Sequence, residues 1–175
     1  MTLSYRLATR ADADTIAQLM ALSMARLLPD FLTPEQVEAS SATMGLDTTL
    51  IDDQTYFLIY SDGELAGCGG WSRRRTLYGG NHSAGRDNAL ADPAREPAKI
   101  RAMYTHPDFT RRGIGRYLIE LGERAAKAEG FSQMELGATA AGVPLYERCG
   151  YVYTQDLTQP KNGVLVPVLR MQKAI

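Results

Sequence analysis

Apolar residues recur at helical spacing through Ile16, Leu19, Met20, Met24 and Leu27, predicting a first helix that ends near Leu28. Thr9, with Asp12 three residues on, supplies its start as a capping residue and reciprocal acid. Pro29-Asp30 breaks the pattern. Thr33-Pro34-Glu35-Gln36 then restarts it, with Pro at the first helical position and Gln at the third, predicting a second helix to about Gly45. Before both, Tyr5 to Ala8 suits a short opening strand.

The pattern next switches to β-formers. Thr55-Tyr56-Phe57-Leu58-Ile59-Tyr60 predicts a strand, Ser61-Asp62-Gly63-Glu64 a turn, and Leu65 to Trp71 the returning strand. Gly67, Gly69 and Gly70 in the return predict a bulge or a close backbone approach. Residues 72–98 have no periodicity, and an irregular loop of that length inside one domain is usually functional or disordered. Ile100 to Thr105 predicts a strand. Ile114, Leu118, Leu121, Ala125 and Ala128 form one helical stripe closed by Gly130, Met134 to Ala138 a strand, and Val143 to Cys149 a short helix. Tyr151–Leu157 and Val164–Met171 read as a closing antiparallel pair across Pro160-Lys161-Asn162-Gly163. The order β-α-α-β-β-β-α-β-α-β-β predicts a mixed α/β single domain, residues 1–175.

Composition narrows the chemistry. The chain of 175 residues can bury a core unaided, and its net charge of −1 gives no general attraction to nucleic acid or membrane. Anion binding must therefore come from local clusters, of which Arg73-Arg74-Arg75 and Arg111-Arg112-Gly113-Ile114-Gly115-Arg116 are two. Cys68 and Cys149 are far apart and without nearby histidine, so neither a disulfide framework nor a metal site is expected. The N-terminus lacks a basic lead and apolar run, and no apolar stretch approaches the roughly 18–20 residues of a membrane span. A cytoplasmic protein is the expectation.

The glycine-containing loop after the strand at 100–105 presents backbone N–H groups at a helix start, an arrangement that suits phosphate. A nucleotide-triphosphate loop requires GxxxxGK[ST], which is absent. A dinucleotide fingerprint requires a third glycine where Leu118 stands, and the pair comes too late to leave room for both a cofactor domain and a catalytic domain.

Taken whole, the strand, the His106-Pro107 turn, Arg111-Arg112-Gly113-Ile114-Gly115-Arg116 and the helix resemble the central motif of the GNAT superfamily of N-acetyltransferases. Pro144-Leu145-Tyr146-Glu147-Arg148-Cys149-Gly150-Tyr151 is similar to that family's Leu-Tyr-x-x-x-Gly-[FY] segment, and Arg6-x-Ala8-x-x-x-Asp12 and Met171-x-Lys173 are weaker matches. The resemblance implies a GNAT-like fold, with a central sheet of about six to seven strands splayed at the cofactor cleft and about four flanking helices.

It further implies that the backbone of Met103, Tyr104 and Thr105 pairs with the pantetheine arm of acetyl-coenzyme A, and that Arg111, Arg112, Gly113, Ile114, Gly115 and Arg116 hold its pyrophosphate. A Cβ at Gly113 or Gly115 is expected to obstruct that approach. Tyr146 matches the tyrosine that protonates the departing thiolate, a transfer uphill by about 2 kcal/mol between a phenol and an ordinary thiol. Thr110 replaces a usual Gln or Arg, and Thr139 a frequent Asn, whose cofactor contact a hydroxyl can still make. An amine acceptor must lose a proton before attack, yet the preceding strand, Lys99-Ile100-Arg101-Ala102-Met103, lacks the family's Glu. Glu96 is the nearest candidate base, and a water chain to backbone carbonyls is the other route. His106 reads as a turn residue, and His82 is unplaced.

On the acceptor side the resemblance points to Met24, Leu28, Phe31, Met44, Trp71 and parts of the loop 72–98, a mostly apolar wall whose named residues equally suit a core. Arg101 is either a contact for an acidic substrate or a paired structural residue, and Arg73-Arg74-Arg75 either an anion clamp or a solvated strand end. Two functions follow. One is acetyl transfer from acetyl-coenzyme A, with no metal, to a primary amine of a small molecule or peptide. The alternative is a non-catalytic coenzyme A-binding regulatory module. No nucleic-acid or membrane partner is expected, and a homodimer is left open.

Overall fold

A computed structural model describes all 175 residues. Its centre is a seven-stranded sheet in the order β1-β2-β3-β4-β5-β9-β6, comprising β1 (Leu3–Leu7), β2 (Tyr56–Ser61), β3 (Glu64–Ser72), β4 (Ala98–Thr105), β5 (Gln133–Thr139), β6 (Val152–Asp156) and β9 (Val168–Ala174). A separate two-stranded ribbon is made by β7 (Gln159–Lys161) and β8 (Val164–Val166). Five helices surround the sheet: α1 (Ala13–Leu27), α2 (Pro34–Ser40), α3 (Thr48–Asp52), α4 (Ile114–Ala128) and α5 (Val143–Arg148). The mixed α/β, GNAT-like architecture expected from the sequence is the one observed.

Local chemistry accounts for most boundaries. Thr33 Oγ1 accepts from the Gln36 amide at 3.2 Å while Gln36 Oε1 accepts from the Thr33 amide at 3.0 Å, the reciprocal cap that starts α2. Asp12 takes the Thr9 amide at 2.8 Å, but one 3-10 turn at Arg10–Asp12 precedes α1. Asp62 and Gly63 are both left-handed, as a two-residue hairpin between β2 and β3 requires.

Residues alternate across the sheet. Phe57 and Ile59 face α4 in one core with Leu118, Ile119, Trp71 and Phe131. Tyr56 and Leu58 face α1 and α3 in another, with Ile16, Met20 and Leu50. The stripe on α4 drifts as an α-helix should, so Ala126 is buried at the far end where Ala128 is exposed.

Three elements differ from expectation. Helix α2 stops at Ser40 and not near Gly45. Helix α3 is one short element held by its cap, Asp47 Oδ1 accepting from the Thr49 amide at 3.0 Å, and five residues are too few to show a period. The expected antiparallel pairing of 151–157 with 164–171 is present, with Tyr153 opposite Met171 and Asp156 opposite Leu169, but the Asn162-Gly163 turn closes an inserted ribbon β7–β8 and does not join that pair directly. Pro167 separates β8 from β9, and β6 pairs with β9, which also pairs with β5.

The feature that positions the site is a fork. Strands β4 and β5 are parallel and paired only at Ala98↔Met134 and Lys99↔Glu135. Beyond that point they diverge, leaving the facing edge of β4 from Ile100 onward unpaired by protein. A bulge reinforces the bend: Cys68↔Tyr104 and Gly70↔Arg101 leave two β4 residues opposite Gly69, and Ala102 takes φ +50°. Tyr56 Oη donates to the Ala102 carbonyl at 2.7 Å, tying the bulge to β2.

Candidate active site

A cavity of about 110 Å³ opens at the fork. Met103, Tyr104, Gly137, Thr139 and Tyr146 line it from the two strands and α5. Its other walls come from the α2–α3 connection (Thr43–Gly45), the long loop (Leu77–Gly80), Arg101, and the ribbon through Lys161 and Val166. The loop at 72–98 is thus a wall of the cavity. Tyr78 packs directly on Gly137, where any Cβ would come within 2.9 Å of its ring.

Tyr146 is held firmly. Its ring lies against Gly142 and meets Tyr151 edge to face at 6.1 Å. Tyr151 Oη donates to Glu123 Oε1 at 2.9 Å, and Lys173 Nζ donates to the same carboxylate, so α4 and β9 both brace the pair. The Tyr146 hydroxyl reaches the cavity without a protein hydrogen bond, and burial raises its pKa. Tyr104, whose side chain had no role in the sequence reading, puts a second buried phenol near Tyr146 and the Gly45 backbone. Its pKa is likewise raised, chiefly by burial.

The loop into α4 has the backbone expected of an anion nest. Arg111 (φ +63°) and Gly113 (φ +83°) are both left-handed, and Gly113 caps the fifteen-residue helix without a side-chain bond. Arg111 and Arg112 form no ion pair, Arg112 lies 5.0 Å from the Phe109 ring, and Arg116 is 3.6 Å from Glu120. The two glycines serve different purposes. At Gly113 the backbone angle is the constraint, since a Cβ there would meet open space. At Gly115 a Cβ would lie 2.5 Å from Leu145 Cδ2, so this glycine lets α5 and Tyr146 dock on the start of α4.

Other candidates fall elsewhere. Glu96 does not line the cavity: its carboxylate is 2.8 Å from Arg75 Nε, takes the Asp92 amide, and has its pKa lowered first by the Arg75 bond. Arg73 and Arg74 pair with Glu129 and Asp53, so none of the three successive arginines is a free clamp. Trp71 is in the α4 core with Phe131, Met24 and Leu28 pack with other core residues, and Phe31 is exposed. Of the acceptor-side residues named from sequence, Arg101 and Met44 reach the cavity. Arg101 is buried and bound to Asp47 at 2.8 Å. Desolvation lowers its pKa, opposed by that carboxylate. His106 caps a turn, its Nδ1 accepting from the Asp108 amide at 3.2 Å, and His82 Nε2 lies 2.8 Å from the Ser41 carbonyl. Part of the loop 72–98 does wall the cavity, through Leu77–Gly80, whereas Gly45, Lys161 and Val166 carried no signal in the sequence.

The acetyltransferase (GNAT) family model matches residues 21–151. No curated protein matches the chain by sequence. Solved structures do match by fold. A GCN5-related N-acetyltransferase from Rhodopseudomonas palustris has a TM-score of 0.74 at 22% identity over 100% of this chain and 97% of that one. The PaiA N-acetyltransferase of Thermoplasma acidophilum, solved with coenzyme A, gives 0.67 at 14% identity with both chains fully covered. The ribosomal-protein-S18-alanine N-acetyltransferase of Escherichia coli gives 0.60 at 16% identity over 99% and 94% of the two chains.

Proposed function

The chain belongs to the acetyltransferase (GNAT) family, and we propose that it moves the acetyl group of acetyl-coenzyme A to the primary amine of a small molecule. The observation that carries this reading is the fork, where an unpaired β4 edge, a left-handed loop leading into α4 and the Tyr146 hydroxyl converge on one cavity. Extended amides of a pantetheine arm complement the open edge, and successive N–H groups from Arg111 to Arg116 complement a pyrophosphate. Acetyl-coenzyme A supplies the activated acetyl group.

In the transfer, the neutral amine nitrogen forms a bond to the thioester carbonyl carbon, the carbon–sulfur bond breaks, and the sulfur leaves with its electron pair. Tyr146 donates its phenolic proton to that sulfur, and the proton released by the nitrogen passes to solvent. Burial of Tyr146 keeps the phenol protonated until the thiolate forms. No carboxylate or imidazole lines the cavity, so the amine enters already neutral. Desolvation and the adjacent cations favour that form.

The test is thiol release from acetyl-coenzyme A across a panel of primary amines, for the wild type and Tyr146→Phe. Amine-dependent release that collapses in the variant, with coenzyme affinity retained, is the expected outcome. A flat response across the panel with tight coenzyme binding would favour a non-catalytic binding module.

A further inference from the structure

The acceptor side of the cavity carries more positive charge than the protein neutralises. Asp47 is shared by two guanidinium groups, Arg101 at 2.8 Å and Arg86 at 3.0 Å. The three side chains are 1%, 2% and 13% exposed, so one buried carboxylate faces two buried cations. The carbonyls of Thr76, Gly79 and Gly80 accept further N–H groups of the two arginines, which spreads the charge without cancelling it. Arg101 forms part of the cavity wall. A second lining cation, Lys161, projects from the ribbon with its Nζ 5.8 Å from the Tyr78 ring centre and makes no ion pair.

The lining residues include no Asp or Glu, so Lys161 has no counter-charge on the wall and Asp47 behind it alone answers Arg101 and Arg86. Excess charge in a poorly hydrated site is costly unless a counter-charge arrives. A polyamine or a lysine side chain would add to the imbalance, whereas a carboxylate would relieve it. The space is also small. A cavity of about 150 Å³ holds benzene, and the one here measures about 110 Å³.

We infer that the acceptor is a small primary amine that also bears a carboxylate, the carboxylate contacting Lys161 and the amine directed to Tyr146. The inference rests on the acetyl-transfer reading and adds its substrate class. Three of the N–H groups of Arg101 meet Asp47, Thr76 and Gly79 and its charge is already paired, so Arg101 chiefly contributes its field while the unpaired Lys161 supplies the contact. The same cations disfavour a bound ammonium, which accounts for a site without a general base.

The test uses glycine, β-alanine and γ-aminobutyrate, their primary amides, and diamines of matching length. Binding to coenzyme A-saturated protein is measured by calorimetry, and thiol release separately. The carboxylates are expected to bind about tenfold or more tighter than the amides, and the diamines more weakly still. Lys161→Gln is expected to reduce the preference for carboxylate about fivefold, and Lys161→Glu to turn it toward the diamines, with coenzyme affinity unchanged. Equal or tighter binding of amides or diamines by the wild type overturns the inference. So does a preference unmoved by Lys161→Glu, or no binding by any carboxylate. Selective carboxylate binding without thiol release would instead overturn acetyl transfer and leave the charge selection standing.

Discussion

On one side of the cavity the working parts are, apart from the Tyr146 side chain, backbone, drawn from two nearly contiguous stretches: the open edge of β4 with the Arg111–Arg116 loop, and β5 with α5. On the other side they are side chains and loop segments from residues 43–45, 77–80, 101, 161 and 166, brought together across most of the chain. A backbone-built site constrains glycines, turn residues and strand–helix order, all of which are local. A side-chain wall needs only one suitable residue per segment, in almost any local context. The two halves therefore respond differently to substitution, and that contrast can be broken or sharpened experimentally.

The largest effect is expected on the side-chain half. Asp47→Ala leaves Arg101 and Arg86 buried without their shared carboxylate and removes the α3 cap, and breaking a buried pair costs about 3–5 kcal/mol. Denaturant unfolding should show that loss. A drop of under ~1 kcal/mol would mean that the carbonyls of the loop alone satisfy both arginines.

Next comes Tyr146→Phe, which leaves the packing against Gly142 and Tyr151 in place while removing the proposed proton donor. Thiol release should fall about 10²-fold, the lower range for general acid catalysis, with the coenzyme dissociation constant unchanged. Because burial raises the phenol's pKa, the wild-type rate should rise with pH as the amine deprotonates, without a falling limb below about pH 10. A fall before that point would assign the proton to another group.

Gly115→Val probes the link between the halves, since its Cβ would press on Leu145 and move α5. Overpacking of this kind costs about 1–3 kcal/mol, and coenzyme binding and thiol release should weaken together. Retained coenzyme binding would detach the loop from the proposed pyrophosphate site. The smallest effect is expected at Glu96→Gln. This half-buried carboxylate answers Arg75 outside the cavity, so the rate of thiol release should be unchanged, and a large drop would bring Glu96 into the proton path.

The contrast also explains what could be read before the fold was known. Thr33 and Gln36 mark a helix start because their bonds join residues three apart, and Asp62-Gly63 marks a hairpin because its backbone needs left-handed residues. Gly113, Gly115 and Tyr146 were legible as a pattern for the same reason, although the reason for Gly115 is its contact with Leu145. Helix α3 was hidden because its stability comes from Asp47 and the core beneath it. The pairing of β6 with β9 was legible, but the ribbon β7–β8 between them was not, because a turn signal identifies the bend without identifying which strands it joins.

By itself, then, the chain determined the order of its main elements apart from α3 and the β7–β8 ribbon, the loop into α4 and the family, since each depends on residues within a few positions of one another. Tertiary structure alone decided that three successive arginines are each spoken for by distant acids, that Trp71 belongs to the core, and that Lys161 faces the cavity without a partner. Charge pairing and burial depend on which segments meet in space. The local pattern of a sequence carries no record of those meetings.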